Sequence, residues 1–223
     1  RSVSRGLGDV YKRQDRGIGT IVDALKKKGI MDNTFLIFFS DNGPASVPGS
    51  SSGKLRGRKF DEWDGGVRVP AVFYWKRAES NYKNLSSQVT GFVDIVPTLK
   101  ELVGDKNRPE RAYDGISILP LLIGSTSCID RNFYLGCGAV VNKDYKLIRK
   151  GRKPGLNLPQ DFLVDYQTDP YEKKNASNGN EQIVRSLYQV ALKYDTITPC
   201  LPEIPYGKGR EGFKAPVEWK VTR

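Results

Sequence analysis

The sequence predicts an α/β fold, in which helices cover a parallel sheet, followed by a small C-terminal antiparallel sheet with one helix. Three observations support this prediction. An amphipathic helix precedes a continuous apolar run over 34–40, a second apolar run covers 69–75, and short strands separated by turn residues begin after about residue 108. Continuous apolar runs of this length are typical of strands buried on both faces, as in a parallel sheet. A helix, a turn and a buried strand form one unit of such a fold.

The helices and turns of the first half follow from spacing and from residues that end helices. Apolar residues fall at helical spacing at Ile18, Ile21, Val22 and Leu25. Gly29 ends this helix after three lysines, and Asp32-Asn33 forms a turn before the first strand. A loop rich in Gly, Ser and Pro covers 43–57. Asp94 is a predicted N-cap for a helix that runs to Val103.

The second half predicts an antiparallel meander and one helix. The predicted strands are Asn132–Leu135, Ala139–Val141, Tyr145–Arg149 and Phe162–Asp165. The predicted helix, Glu181 to Tyr194, has one apolar face formed by Ile183, Val184, Leu187, Val190 and Ala191. The tail from Pro199 is rich in Pro and Gly, so we expect an extended strap on the surface.

The first fourteen residues differ from the rest of the sequence. Residues 1–14 have neither helical nor strand periodicity, and they resemble the translation of a sequencing adapter. We interpret this segment as non-native, which implies that native sequence before Asp15 is missing. The remaining chain divides into residues 15–125, the end of an α/β domain, and residues 126–223, a small α+β subdomain with a surface tail.

Composition restricts the chemistry that the chain itself can perform. The 223 residues carry a net charge of +11, which favours anionic partners. The chain contains no histidine, which excludes a His-based general base, a Ser-His-Asp triad and a His metal site within it. The cysteines, at 128, 137 and 200, lack metal-ligand spacing, and either one disulfide or three thiols is possible. Apolar runs stay below the roughly 18 residues that a membrane span needs.

Two short motifs are candidate sites. Asp41-Asn42-Gly43 directly follows the first buried strand, where ligands of α/β sheets bind, and it offers hard oxygen ligands for Ca²⁺ or Mg²⁺. The same tripeptide is also an ordinary turn. Lys59, in a glycine-flanked loop before the second strand, can bind an anionic oxygen. This loop can also be a solvated basic surface, and that is the interpretation preferred for Arg56 and Arg58.

The order of these motifs resembles the type I sulfatases, of the arylsulfatase and polysaccharide-sulfatase kind. Their pattern is a strand ending in Ser-Asp-Asn-Gly, then Gly-x-Lys, then Glu-Gly-Gly-x-Arg-Val-Pro. Here the corresponding residues are 40–43, 57–59 and 64–70, with Asp64 in place of Glu. Later segments also match, namely 94–99, 114–122, 144–149 and 165–172.

The resemblance implies an alkaline-phosphatase-like fold and a sulfuric ester hydrolase. It assigns Asp41 and Asn42 as calcium ligands and Lys59 as the catalytic residue that binds the substrate sulfate. The family nucleophile is a formylglycine made from Cys or Ser in a Cys/Ser-x-Pro/Ala-x-Arg motif, which this chain lacks. The native protein is therefore expected to hydrolyse sulfate esters with calcium, while the chain alone is expected to be inactive and unstable.

Two other functions are considered. One is a phosphodiesterase or phosphonate hydrolase of the same superfamily, and the other is a non-catalytic module that binds anionic polysaccharide through Lys54, Arg56 and Arg58. The absence of histidine and the Gly-Gly-x-Arg-Val-Pro segment favour the sulfatase. The expected substrate is a sulfated carbohydrate or small molecule, with no nucleic acid and no membrane partner. The family implies a periplasmic, secreted or lysosomal location.

Overall fold

The computed structural model describes residues 4–76, 88–153 and 156–197, together with 212 and 214. The helices in these residues are α1 Ser4–Lys27, α2 Asp64–Val67, α3 Ile95–Leu102, α4 Leu119–Leu122 and α5 Glu181–Leu192. The strands are β1 Leu36–Phe39, β2 Ala71–Tyr74, β3 Phe133–Gly136, β4 Ala139–Val141, β5 Tyr145–Ile148 and β6 Phe162–Asp165. Two short 3-10 helices cover Met31–Asn33 and Phe92–Asp94. The mixture of helices and strands confirms the α/β class.

Helix α1 is longer than the sequence pattern predicts. It begins at Ser4, although residues 4–14 show no helical periodicity in the sequence. Extending a formed helix is far less costly than starting one, and this segment contains no proline to interrupt it. The predicted stop is confirmed: Gly29 has φ +67°, and the Ile30 amide donates to the Leu25 carbonyl at 3.1 Å. The non-native origin of 1–14 and the boundary after residue 125 stay predictions.

The first sheet differs from the predicted one in pairing and burial. Strands β1 and β2 are antiparallel, with Leu36 opposite Tyr74 and Phe39 opposite Ala71. They are also half exposed: Phe38 is 45% exposed and Val72 is 57% exposed. Within the described residues each strand pairs only with the other. Two strands alone leave both outer edges and most of one face uncovered, so the predicted double burial in a parallel sheet is wrong here.

The second sheet confirms the predicted meander. Its strand order is β3-β4-β5-β6, each pair antiparallel, and α5 packs on one face. Val140, Leu147 and Leu163 meet Leu187 and Ala191 of α5 in one apolar core. The opposite face holds a second core, formed by Ala139, Ile148, Leu158, Val164 and, from the first half of the chain, Trp63. Side chains alternate between faces along a strand, which explains why β5 contributes to both cores.

Asp94 has a different role from the predicted cap. It is the N-cap residue of α3, but its side chain makes no cap hydrogen bond to that helix. The buried carboxylate instead accepts hydrogen bonds from the amides of Gly91 at 2.8 Å and Ile116 at 3.0 Å, and it pairs with Arg131 at 2.7 Å. Asp94 therefore connects the start of α3 to two later segments of the chain, at Ile116 and Arg131. Its carboxylate bonds to these groups and to the Gly91 amide instead of capping the helix.

Three further predictions concern the ends, the thiols and the membrane. The tail from Pro199 lies outside the described residues except at 212 and 214. Cys128 and Cys137 are free and exposed thiols. Among the residues that the structure describes, no helix combines the length and the apolar character that crossing a bilayer requires.

Candidate functional site

The predicted metal ligands follow β1 directly, at its carboxyl end. The Asp41 side chain is exposed, and its Oδ1 accepts a hydrogen bond from the Asn42 amide at 2.9 Å. The Asn42 side-chain nitrogen donates to the Gly43 carbonyl at 2.9 Å. This bond leaves the carboxamide oxygen of Asn42 as its remaining ligand atom. Two consecutive residues at the end of the strand thus offer one carboxylate and one amide oxygen.

Close backbone contact joins this turn to Gly65-Gly66, which we call the Gly-Gly motif. The Gly43 amide donates to the Gly66 carbonyl at 2.8 Å, and the Gly65 amide donates to the Arg56 carbonyl at 2.6 Å. A Cβ added to Gly43 would lie 1.9 Å from the Gly65 oxygen, and one added to Gly65 would lie 2.3 Å from the Gly57 oxygen. The glycines of both motifs are therefore required because three stretches of backbone approach too closely for side chains.

Lys59 lies in the loop over residues 56–64, which this backbone contact holds in place. We call it the lysine loop. Its amide donates to the Pro44 carbonyl at 3.0 Å, three residues after Asp41, so the lysine loop and the Asp41-Asn42 turn are neighbours. The side chain is half-buried, and Nζ lies 5.3 Å from the centroid of the Phe60 ring. None of the ion pairs in the described residues includes Lys59. Its ammonium is thus available to an external anion.

The donor set fits part of a calcium site. Carboxylate and carboxamide oxygens are the ligands that Ca²⁺ takes, but it takes six to eight of them. In the residues that the structure describes, no group of three or more His, Cys, Asp or Glu side chains converges. Asp41 and Asn42 can therefore supply two ligands, and a complete shell needs oxygens from elsewhere.

A buried ionic cluster lies behind the lysine loop, and sequence reasoning missed it. We define the Lys146 cluster as Lys146, Asp64, Glu172 and Tyr166. The Lys146 ammonium contacts Asp64 Oδ1 and lies 2.7 Å from Glu172 Oε1. Tyr166 donates its hydroxyl to Asp64 Oδ1 at 2.8 Å, and the Asp64 amide donates to Glu172 Oε2 at 2.8 Å. The side chains of the three charged residues are at most 6% exposed, so this is one ammonium between two buried carboxylates.

The Lys146 cluster fastens the lysine loop to the second sheet. Asp64 begins α2 next to the Gly-Gly motif, whereas Lys146 is in β5. Arg56, predicted as a solvated basic residue, is held in the same way: its guanidinium lies 3.5 Å from the Trp63 ring centroid and donates to the Glu172 carbonyl at 2.7 Å. That prediction is wrong because a planar guanidinium can stack on an indole and lose little hydration. The C-terminal sheet thus supports the loop that carries Lys59.

One signal in the sequence could have revealed the cluster. Lys146 is the one charged residue in the apolar stretch Tyr145–Ile148, and a lysine there, in a central strand, requires buried partners. The segments 64–70, 144–149 and 165–172, which carry part of the resemblance, supply all four members of the cluster. Asp64, which replaces the usual Glu, is therefore a packing residue and says little about substrate.

Glu172 should give the stability of this chain a specific pH dependence. Burial raises the pKa of Glu172 above its ordinary value of 4.5, Lys146 opposes this rise, and Asp64 adds to it. Because the folded state holds the proton more tightly, this contribution is present below about pH 4.3 and is lost as pH rises through the folded pKa. We expect Glu172→Gln to gain stability relative to the wild type as pH increases from 4 to 7, measured by urea midpoints.

Glu181 supplies a matched control of opposite sign. Its carboxylate accepts a hydrogen bond from the Gly179 amide at 2.9 Å, which lowers the pKa of Glu181. A lowered pKa gives stability that is present above the unfolded pKa and is lost as pH falls. Glu181→Gln should therefore lose stability relative to the wild type as pH increases over the same range. Parallel trends in both variants would contradict the assignment for Glu172.

Comparison with known proteins finds sulfatases that are similar in sequence and in structure. A protein-family model described as "Sulfatase" matches residues 8–105, which include both site motifs. Steryl-sulfatase of Mus musculus is 32% identical over 141 residues, covering 60% of this chain and 22% of that protein. The chain thus spans about a quarter of the length of the curated relatives it matches.

Solved structures extend the similarity to the C-terminal sheet. A structure described with the metabolism of multiple glycosaminoglycans by Bacteroides thetaiotaomicron superimposes with a TM-score of 0.71 at 26% identity, covering 83% of this chain and 44% of that one. Ps i-CgsB in complex with k-i-k-neocarrahexaose gives a TM-score of 0.68 at 28% identity, covering 81% and 40%. The family model, the relatives and the solved structures agree, and together they support the type I sulfatase family, with its alkaline-phosphatase-like α/β fold, as the family that this chain resembles.

Proposed function

We propose that this chain forms part of a sulfuric ester hydrolase in which Lys59 binds the substrate sulfate beside a calcium held by Asp41 and Asn42. The observation that carries the proposal is the backbone contact between the two loops. The Lys59 amide donates to the carbonyl of Pro44, which follows the Asp41-Asn42-Gly43 turn. This bond supports the proposal because it makes the turn proposed to bind calcium a neighbour of the lysine proposed to bind sulfate, so that one sulfate can contact both.

Each residue has a distinct chemical task. The Lys59 ammonium supplies a fixed positive charge to the sulfate oxygens, and its hydrogen bonds strengthen as charge shifts onto the leaving group. Asp41 and Asn42 supply oxygens to calcium, which polarises the sulfuryl group when bound. Because Asp41 is exposed, its carboxylate can change ligands without the cost of a buried, unpaired charge.

The nucleophile and the proton-transfer groups must come from other sequence. The chain contains no histidine, and none of its Cys or Ser residues stands in a Cys/Ser-x-Pro/Ala-x-Arg motif. We therefore propose that a formylglycine outside these 223 residues is the nucleophile. The chain alone should show no sulfatase turnover, and measurable turnover by the purified chain would refute this assignment.

We propose a sulfated carbohydrate as the substrate. Two structural neighbours support this choice: one is described with glycosaminoglycan metabolism, and another holds a carrahexaose. The net charge of +11 favours encounter with such anionic sugars. For an enzyme that acts on this substrate class, we propose a periplasmic, secreted or lysosomal location.

The role of Lys59 can be tested in the complete enzyme that contains this chain. Lys59→Met should lower kcat/KM for 4-nitrophenyl sulfate by about 10²–10³-fold, the usual effect of removing one group that stabilises transition-state charge. Lys54→Met is the matched control. Lys54 is an exposed lysine of the same region, with Nζ 6.0 Å from the Tyr171 ring centroid, so its loss removes the same charge without touching the site.

Two outcomes would contradict the proposal. Equal losses in the Lys54 and Lys59 variants would show that general surface charge, not a sulfate-binding lysine, attracts the substrate. Faster turnover of 4-nitrophenyl phosphate than of the sulfate would favour a phosphohydrolase of the same superfamily.

A further inference from the structure

Phe60 combines three features that set it apart from an ordinary surface phenylalanine. It is 74% exposed, among the most exposed of the large apolar side chains in the described residues. Its φ is +77°, a region that residues other than Gly, Asn and Asp rarely occupy. It also follows Lys59 directly and contacts that ammonium. Exposure, strain and position each require an explanation.

The strain arises in a tight turn that the surrounding backbone fixes. The Asp61 amide donates to the Arg58 carbonyl at 2.9 Å, which closes a β-turn with Phe60 as its third residue. A positive φ at this position is the mark of a type II turn, where Gly or Asn is favoured. The Arg58 amide also donates to Asp61 Oδ2 at 3.0 Å. A Cβ on Gly66 would lie 2.1 Å from the Asp61 oxygen, so this backbone cannot relax toward Gly66.

The ring lies where the organic part of a bound sulfate ester would be. A sulfate oxygen that accepts a hydrogen bond from an ammonium lies about 2.8 Å from it. The centroid of the Phe60 ring is 5.3 Å from the same Lys59 Nζ. The group esterified to that sulfate therefore lies within reach of the exposed ring.

We propose that Phe60 is a stacking platform for the sugar that carries the sulfate, and so a specificity-determining residue of the site. The proposal rests on the proposed function of Lys59. The apolar face of a pyranose covers a phenyl ring well, whereas inorganic sulfate has no such face. The strained turn keeps the ring in solvent beside the anion instead of letting it collapse into the core. A backbone cost of this kind is typical of residues held for binding.

Binding titrations test this inference in the complete enzyme that contains this chain, made inactive by replacing the formylglycine precursor with Ala. Calorimetry should measure the Kd of N-acetylglucosamine 6-sulfate and of sodium sulfate for the wild type and three variants. Phe60→Asn should raise the Kd of the sugar sulfate about two- to tenfold, the range for aromatic contacts, and leave the Kd of sodium sulfate unchanged. Phe60→Tyr should bind both as the wild type does. Lys59→Met should raise the Kd of both ligands.

Stability separates a platform from a structural residue. Asn tolerates positive φ, so the unfolding midpoint of Phe60→Asn should equal or exceed that of the wild type. A lower midpoint, or unchanged binding of the sugar sulfate, would overturn the role of Phe60 while leaving Lys59 untouched. Binding of both ligands unchanged in Lys59→Met would instead refute the proposed sulfate site. No binding by the wild type at millimolar concentrations would contradict both.

Discussion

Lys146→Met should lower the free energy of unfolding of this chain by about 3–5 kcal/mol, because it leaves two buried carboxylates without their cation. Lys146 contacts Asp64 and Glu172, and it also donates to the Glu62 carbonyl at 3.1 Å. Methionine keeps the unbranched shape of the side chain up to Cε but supplies no ammonium and no hydrogen bond. Natural domains are stable by only about 5–15 kcal/mol, so urea denaturation followed by circular dichroism should show a large fall in midpoint.

Glu172→Gln is the informative control for this prediction. Glutamine keeps the shape of Glu172 and leaves Lys146 paired with Asp64, so one ammonium faces one carboxylate. We expect a clearly smaller loss than in Lys146→Met. Equal losses would show that packing volume, and not the balance of buried charge, determines the stability of the Lys146 cluster.

Gly43→Ala should destabilise the chain by at least about 3 kcal/mol, the upper end of the usual cost of overpacking. The added Cβ would lie 1.9 Å from the Gly65 oxygen and 2.8 Å from the Gly65 carbonyl carbon. These are backbone atoms, and a backbone cannot turn aside as a flexible side chain does. To remove this clash, the Asp41-Asn42 turn must move away from the Gly-Gly motif. This movement also breaks the hydrogen bond between the Gly43 amide and the Gly66 carbonyl.

Gly19→Ala controls for the chemistry of the substitution. Gly19 lies inside α1, and a Cβ there meets nothing within 4 Å. Alanine is the better helix former, so this variant should gain about 0.5–1 kcal/mol. Opposite signs for the same substitution are the expected result, measured by urea denaturation. A neutral Gly43→Ala would contradict the close approach of the two motifs.

Local patterns were sufficient to predict the second sheet and its helix. Short apolar runs separated by Asn142-Lys143-Asp144 and similar turns define strands, and α5 has a clear apolar face. The order of the motifs, in turn, located Asp41, Asn42 and Lys59 near one strand end. The antiparallel pairing of β1 with β2 was not predictable, because a continuous apolar run does not specify which strand lies beside it.

Long-range charge pairing and backbone strain were the features that the sequence concealed. Lys146 and Asp64 are 82 residues apart, and nothing local in either segment indicates the other. A positive φ can be predicted from sequence where Gly or Asn occupies the turn. At position 60 the turn contains Phe, so its positive φ could not be predicted. The strained residue lies in the lysine loop, and the charge pairing holds that loop against the second sheet. This is consistent with functional sites as the places where local rules fail.

The lysine loop links the two halves of the chain. Its front side holds Lys59 and Phe60, and its back is anchored on the second sheet through Asp64 and Trp63. We therefore expect changes in the Lys146 cluster to affect sulfate binding through the position of Lys59. The same anchoring explains why segments distant from the site carry part of the family resemblance.

The most direct test of the central claim is a sulfate titration of the chain followed by NMR of the lysine ε-methylene groups, in the presence of calcium. If Lys59 is the sulfate-binding residue, its ε resonance should shift saturably with sodium sulfate but not with sodium chloride at equal ionic strength, while the amides of Asp41 and Asn42 respond to calcium. A Lys59 resonance that moves no more than that of Lys54 would contradict the claim.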